Sequence, residues 1–177
     1  PMIPVSLSMT AAQHSALAEA MVLQEAGAGA VLLCGCRDGD RRRRLLVRRF
    51  CPIRGAPGPR LPSASVAGLI RSLEPLLQEV SESALSVVVL GYDAEARPDP
   101  PAAIDDGGRA LLRALRSQLS PGISLSAGSM SRDGRIRAWV SLDDEEFHPF
   151  ETVSVVGDDL EFWFAQGSVV ETPAFAA

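Results

Sequence analysis

Residues 85–106, LSVVVLGYDAEARPDPPAAIDD, constrain the fold of this chain more than any other stretch. The apolar run at 85–90 predicts a strand that is buried on both faces. A proline-rich loop follows, and Asp105 and Asp106 then predict the start of a helix, where carboxylates complement the helix dipole. Strand ends that open into loops often carry binding and catalytic groups. We therefore expect the functional site at the end of this strand.

Composition narrows the class of protein. A chain of 177 residues with 46% hydrophobic content predicts one globular domain with a core. The net charge of −5 does not indicate nucleic-acid binding, although arginines at 41–44, 48 and 49 form a local basic patch. No apolar run reaches the roughly 18 residues of a membrane span, and no secretory leader pattern is present. Three cysteines, an odd number, favour a reducing cytoplasm over a disulfide scaffold.

Hydrophobic periodicity and turn signals divide the chain into elements. Residues 1–9 are predicted to be an extended N-terminal arm, and Thr10 with Gln13 forms a capping-box pattern that starts the first helix, which runs to Leu23. The other predicted elements are strands at 30–36 and 44–53, a helix at 63–82, the strand at 85–90, a helix at 105–119, and an antiparallel run of strands at 123–130, 135–142, 152–156 and 160–165. Residues 166–177 are predicted to be a tail or linker. This order predicts an α+β fold with a mixed β-sheet flanked by helices.

The order of elements and several local phrases resemble the JAB/MPN (JAMM) metallo-isopeptidase domains, in the bacterial versions associated with ThiF-type (E1-like) adenylating proteins. The phrases are AVLLCG at 30–35, VVVLGYDA at 87–94, AAIDD at 102–106 and SAGSMSRDGRIRAWVSL at 126–142. The resemblance implies a JAB/MPN-like, cytidine-deaminase-like fold, with the domain at residues 10–165.

In that family the corresponding strand ends in His-x-His-Pro, a Ser-x-x-Asp follows after the loop, and a Glu lies near the start of the first strand. Carried over to this sequence, the two His, the Ser and the Asp fall in that order on Gly91, Asp93, Ala102 and Asp105. The Glu position falls at Gly27 or Ala28, and Glu25 lies two or three residues too early. The resemblance therefore matches a metal-binding motif whose ligands are mostly replaced.

These replacements remove the chemistry that the resemblance would otherwise imply. A catalytic zinc takes three protein ligands and a water whose pKa it lowers to about 7. Glycine offers no ligand, so only Asp93 and Asp105 remain, and two carboxylates suit Mg²⁺ or Mn²⁺ better than zinc. The Glu that would serve as general base and the Ser that would donate to an oxyanion are also missing. We therefore expect a pseudoenzyme with no catalytic residue, no bound metal and no cofactor.

A kept scaffold with a lost metal motif predicts a protein-binding or scaffolding module in a bacterial ubiquitin-like conjugation system. The expected partner is a ThiF/E1-like protein, a ubiquitin-like protein or a second copy of this chain, and we expect the chain to be the front piece of a ThiF/E1-like fusion. The alternative is an active metal-dependent, deubiquitinase-like isopeptidase with zinc. In it, Glu25, Glu95 or His148 would supply the group missing beside Asp93 and Asp105. A third hypothesis is a purely structural dimerisation domain.

Other residue groups have a functional and a structural interpretation. Cys34, Cys36 and Cys51 would bind a metal if His148 joined them, but core packing is the interpretation we favour. His14 is expected to be a packed or surface histidine rather than a ligand. The arginines at 41–44 would suit an acidic partner or nucleic acid, although a solvated hairpin rim is the default. The sequence contains no Walker loop, Rossmann glycine pattern, His-Glu-x-x-His or Gly-x-Ser-x-Gly.

Overall fold

A computed structural model gives the fold and describes residues 3–23, 28–54, 63–93, 106–142 and 146–157. Its elements in chain order are β1 (Val5–Thr10), α1 (Ala11–Leu23), β2 (Ala28–Asp38), β3 (Arg43–Arg54), α2 (Ser63–Ser83), β4 (Ser86–Asp93), α3 (Asp106–Gln118), β5 (Leu125–Ser131), β6 (Ile136–Ser141), β7 (Phe147–Pro149) and β8 (Thr152–Val156). The strands form one sheet in the order β7-β6-β5-β4-β2-β3-β1-β8. Parallel and antiparallel pairs both occur, so the predicted α+β fold with a mixed sheet is confirmed.

Two apolar clusters hold the helices to opposite faces of the sheet. On one face, which we call the α1 face, Leu17 and Met21 pack against alternate strand residues such as Leu90. On the other, the α2–α3 face, Leu73 and Leu111 belong to the cluster of Val31, Val87 and Val89. Alternation along the strands produces the two faces, because successive side chains of a strand point to opposite sides. Strand β4 is buried on both faces, as its unbroken apolar run predicts.

The sheet is curled so that its two ends approach each other. Strand β7 pairs with β6 at one end and β8 pairs with β1 at the other, yet only Phe150 and Glu151 separate β7 from β8. The amide of Phe150 donates to the carbonyl of Ala138 on β6 (2.9 Å), and the amide of Glu151 donates to the carbonyl of Val5 on β1 (2.8 Å). These two residues therefore bridge the ends of the sheet.

Three elements differ from the sequence prediction. The predicted N-terminal arm is extended, but Val5–Thr10 is a strand of the sheet, paired in parallel with both β3 and β8. Of the predicted antiparallel run, only the pairing of β5 with β6 holds, because β8 leaves the run to pair in parallel with β1. The strand β7 lies where no strand was predicted, and the strand predicted at 160–165 lies outside the described residues. Long-range pairing decided these cases, and local pattern does not encode it.

Local signals set the helix ends. The amide of Thr10 donates to Oε1 of Gln13 (2.9 Å) and the amide of Gln13 donates to Oγ1 of Thr10 (3.1 Å), so the predicted capping box is confirmed. Helix α2 continues through Pro75 and ends at Ser83. In the described part of the chain, no helix is long and apolar enough to cross a membrane.

Candidate functional site

The carboxyl end of β4 lies where a parallel crossover begins. Strand β4 pairs in parallel with β5, and α3 connects the two strands and packs on β5. The guanidinium of Arg109 in the first turn of α3 lies 5.1 Å from the centre of the Phe147 ring, which ties that end of the helix to β7. Ligands of α/β sheets bind outside the carboxyl ends of parallel strands. The end of β4 is therefore the candidate site.

Gly91 lies within the sheet and has a neighbour on each side. It pairs with Gly29 at the start of β2 and with Ser129 on β5, and Ser129 pairs in turn with Arg137 on β6. All four residues face the α2–α3 side, since Val89 and Trp139, two positions along, belong to that cluster. The row at the first ligand position of the family motif thus reads Gly, Gly, Ser, Arg. It contains no metal ligand.

Asp93 is the last residue of β4 and faces the same side as Gly91. It is half-buried and lies opposite Ser131, the last residue of β5. Five further positions of the sequence prediction lie outside the described residues: Glu25, Gly27, Glu95, Ala102 and Asp105. Ala28, one of the two residues proposed for the Glu position, begins β2 one residue before the partner of Gly91. The start of β2 and the end of β4 therefore lie side by side.

His148 is not brought to Asp93. It lies on β7, three strands away from β4, and pairs with Val140 of the α1-face cluster. Its side chain is therefore on the opposite side of the sheet from Asp93. Nε2 of His148 lies 2.8 Å from Oε1 of Glu146, its neighbour at the strand start. The alternative in which His148 completes a metal site beside Asp93 does not fit this geometry.

His14 instead lies at the turn between β5 and β6. Its Nε2 is 2.8 Å from the carbonyl oxygen of Gly134, so the ring donates a hydrogen bond there. Gly134 has a φ of 86°, a conformation that favours glycine. This contact joins the first turn of α1 to the β5–β6 turn, which begins directly after Ser131. His14 is a packing residue in this fold, as predicted.

The same turn holds an organised carboxylate. The hydroxyl of Ser131 donates to Asp133, and the amide of Arg135 donates to Oδ1 of Asp133 (3.2 Å). These bonds, the Ser131 hydroxyl first, lower the pKa of Asp133 below its ordinary value. Nε of Arg135 is 3.6 Å from the second carboxylate oxygen. Asp133 is thus engaged within its own turn.

Two buried donors lie on β6, and of these Arg137 was not singled out from the sequence. Nη1 of Arg137 and Nε1 of Trp139 are buried and have no hydrogen-bond partner in the residues that the structure describes. Burial, and then the charge of Arg135, lower the pKa of Arg137. Guanidinium and indole nitrogens only donate, so this side of the site suits an oxygen acceptor. The period-two spacing of 137 and 139 on a predicted strand was the available signal.

The cysteines do not form a metal site. Cys34 belongs to the α1-face cluster and burial raises its pKa to about 12. Cys51 pairs with Val31 and lies on the α2–α3 face, whereas Cys36 is exposed near the hairpin end. Core packing is therefore confirmed for Cys34 and wrong for Cys36, and Cys51 is only half-buried. Across the described ranges, no group of three His, Cys, Asp or Glu side chains is placed to hold a metal ion.

Comparison with known proteins gives no family. No family model matches the chain, and no curated protein matches it. Among solved structures, the chain is similar to the solution structure of protein DSY2949 from Desulfitobacterium hafniense. The two share 16% identity over 86% of this chain and 95% of that chain, with a TM-score of 0.48.

Proposed function

We propose that this chain is a catalytically inactive JAB/MPN-like domain that acts as a protein-binding module in a bacterial ubiquitin-like conjugation system. The observation that carries the proposal is the row Gly29, Gly91, Ser129 and Arg137. It lies at the carboxyl end of a buried strand, where the resemblance places the first metal ligand. The scaffold of the motif is kept and the ligand is absent.

The described residues do not fit a catalytic zinc. Such an ion needs three protein ligands, and the position of the first is glycine. Beside Gly91 in the row stand Ser129, whose hydroxyl can donate or accept, and Arg137, whose guanidinium repels a cation. A face of this kind suits recognition of carbonyl or carboxylate oxygens on another chain rather than activation of water. This supports binding over hydrolysis.

The expected partners are a ThiF/E1-like adenylating protein, a ubiquitin-like protein or a second copy of this chain. The test is co-purification of the tagged chain with candidate adenylating and ubiquitin-like proteins, with elemental analysis of the sample prepared without chelator. We expect a stable complex that persists in EDTA and no stoichiometric zinc. Stoichiometric zinc would overturn the proposal, and so would a chain that stays monomeric and forms no complex with either class of protein.

A metal-dependent isopeptidase remains the second candidate, favoured by one observation. Asp93 lies at the open end of β4, half-buried, on the side where the resemblance places the site. The test is cleavage of a ubiquitin-like fusion protein with and without chelator. Cleavage that stops in chelator and in Asp105→Ala would support this candidate. Cleavage that is unchanged in Asp105→Ala would exclude it.

A further inference from the structure

The β2–β3 hairpin turn follows the end of strand β2, whereas Gly29, the partner of Gly91, lies at the start of that strand. From Gly29 to Arg37, strand β2 advances about 26 Å at the usual rise of a strand. A cavity of about 380 Å³ lies at this turn. It is lined by four arginines, two aspartates and one glycine: Arg37, Arg41, Arg42, Arg44, Asp38, Asp40 and Gly39. This is a separate and mainly basic surface.

Arg37 and Arg44 are direct neighbours across the hairpin, since they pair in register on β2 and β3. Both are exposed, and neither forms an ion pair or hydrogen bond in the described part of the chain; Arg41 likewise has none. Like charges placed opposite each other destabilise a sheet. By contrast, Arg42 and Arg43 are paired with Glu151 (3.0 Å) and Asp38 (2.8 Å). The unpaired arginines therefore leave positive charge available to another molecule.

The basic cavity continues along β3 to Leu46, on the side of the sheet that points away from α1. The strand register places Ser6 and Thr152 beside Arg44, and Ser8 and Ser154 beside Leu46. Ser6 is buried, and the other three small polar residues are half-buried. Leu46 is 44% exposed, so the accessible part of this side lies at Arg44 and Leu46.

A further arginine borders Leu46. Gly35 pairs with Leu46, and a Cβ on Gly35 would come within 2.8 Å of Nε of Arg48. The guanidinium of Arg48 therefore lies over Gly35, beside Leu46. The extra residue of the β2–β3 irregularity near Leu33 and Cys34 gives Arg48 this position. The surface thus combines unpaired positive charge with one exposed apolar side chain.

We propose that the cavity and the exposed side chains of Arg48 and Leu46 form one docking surface for an acidic protein segment that carries an apolar side chain. Carboxylates of the segment would meet Arg37, Arg44 and Arg48, and the apolar side chain would cover Leu46. The net charge of −5 disfavours an extended polyanion such as nucleic acid. A short acidic segment meets only the local charge, because salt screens beyond about 8 Å. The proposal is independent of the proposed function.

The test is fluorescence anisotropy with a labelled peptide of glutamates and one central leucine. The variant is Arg37→Glu, and the matched control is Arg71→Glu, which makes the same charge change at an exposed position of α2. We expect Arg37→Glu to weaken binding about tenfold or more and the control to weaken it less than about twofold, because rim charges act mainly nearby. Leu46→Ser should weaken peptide binding severalfold, and the dependence of the affinity on salt concentration should not change.

The variant Arg37→Glu also distinguishes a loss of binding from a loss of folding. Glutamate at 37 would face Arg44 and replace a repulsive pair with an attractive one, so its melting temperature should not fall. Non-saturable binding, or equal weakening by Arg37→Glu and Arg71→Glu, overturns the proposal. So does tighter binding of a single-stranded DNA oligonucleotide or of phosphatidylserine vesicles than of the peptide.

Discussion

Single residues decide what the end of β4 can do. Gly91 offers no side chain that could bind a metal, and Ser129 and Arg137 lie beside it in register. The glycine at 128 has a different role, since a Cβ there would overlap the carbonyl oxygen of Arg137. Position 128 therefore keeps β5 and β6 in close contact next to the site. At this scale, geometry explains why neighbouring glycines are not equivalent.

Ala84 is the residue with the clearest cost in the described chain. It follows α2 with a φ of 51°, and the amide of Leu85 donates to the carbonyl of Val80 (3.1 Å), as in a Schellman motif. Because alanine is strained in this conformation, Ala84→Gly should raise the free energy of unfolding by about 0.5–1 kcal/mol. Urea denaturation measures this. The control Ala67→Gly, within α2, should lower it by about 1 kcal/mol.

Ser126 is a buried hydroxyl on the α1 face of β5. It is fully buried, and its Oγ has no hydrogen-bond partner among the described residues. Removing an unsatisfied buried hydroxyl relieves its desolvation, so Ser126→Ala should raise the unfolding free energy by about 1 kcal/mol. Ser154→Ala, at a half-buried position of β8, is the comparison, with an expected change within about 0.5 kcal/mol. A loss of stability in Ser126→Ala would contradict this account.

The sequence predicted those elements whose local signals were complete. The capping box, the run of β4 and the acidic start of α3 were each visible in a few neighbouring residues. Gln13 also donates to the carbonyl of Val47 (3.0 Å), so the cap anchors α1 to β3 as well as starting it. Gln13 thus caps the start of α1 and also makes a tertiary contact with β3.

Thr10→Ala tests that boundary. The substitution removes the acceptor for the amide of Gln13, so the free energy of unfolding should fall by about 1 kcal/mol. Thr10→Ser keeps the hydroxyl and should retain most of the stability. Thermal unfolding followed by circular dichroism measures both. An equal loss in the two variants would show that the methyl group, and not the cap, matters at this position.

The sequence alone did not predict which distant strands pair with each other. Val5, Leu7 and Met9 alternate with small polar residues, which is a strand pattern, but nothing local assigns β3 and β8 as their partners. The sequence predicted that Gly91 and Asp93 lie at the end of this strand, where the structure has them. Arg137 was missed, because its proximity to Gly91 arises from two successive strand pairings.

The whole molecule depends on the closure of the sheet. Phe150 is 2% exposed, belongs to the α1-face cluster and stands in the two-residue bridge between the sheet ends. Phe150→Ala should therefore lower the unfolding free energy by about 3–5 kcal/mol. Phe50→Ala, at a half-buried position of β3, should cost less. Denaturant titration compares them, and similar losses would argue against a special role for the bridge.

The place of β1 has a consequence for synthesis of the chain. Strand β3, its first neighbour, is complete once residue 54 has been made, whereas β8 follows about a hundred residues later. At about 5–20 residues per second this interval lasts on the order of 10 s. During it, β1 presents an open edge with alternating apolar side chains, the arrangement that most readily pairs with another chain. The nascent protein on the ribosome is therefore more vulnerable to mispairing than the finished one, and a chaperone would act during this interval.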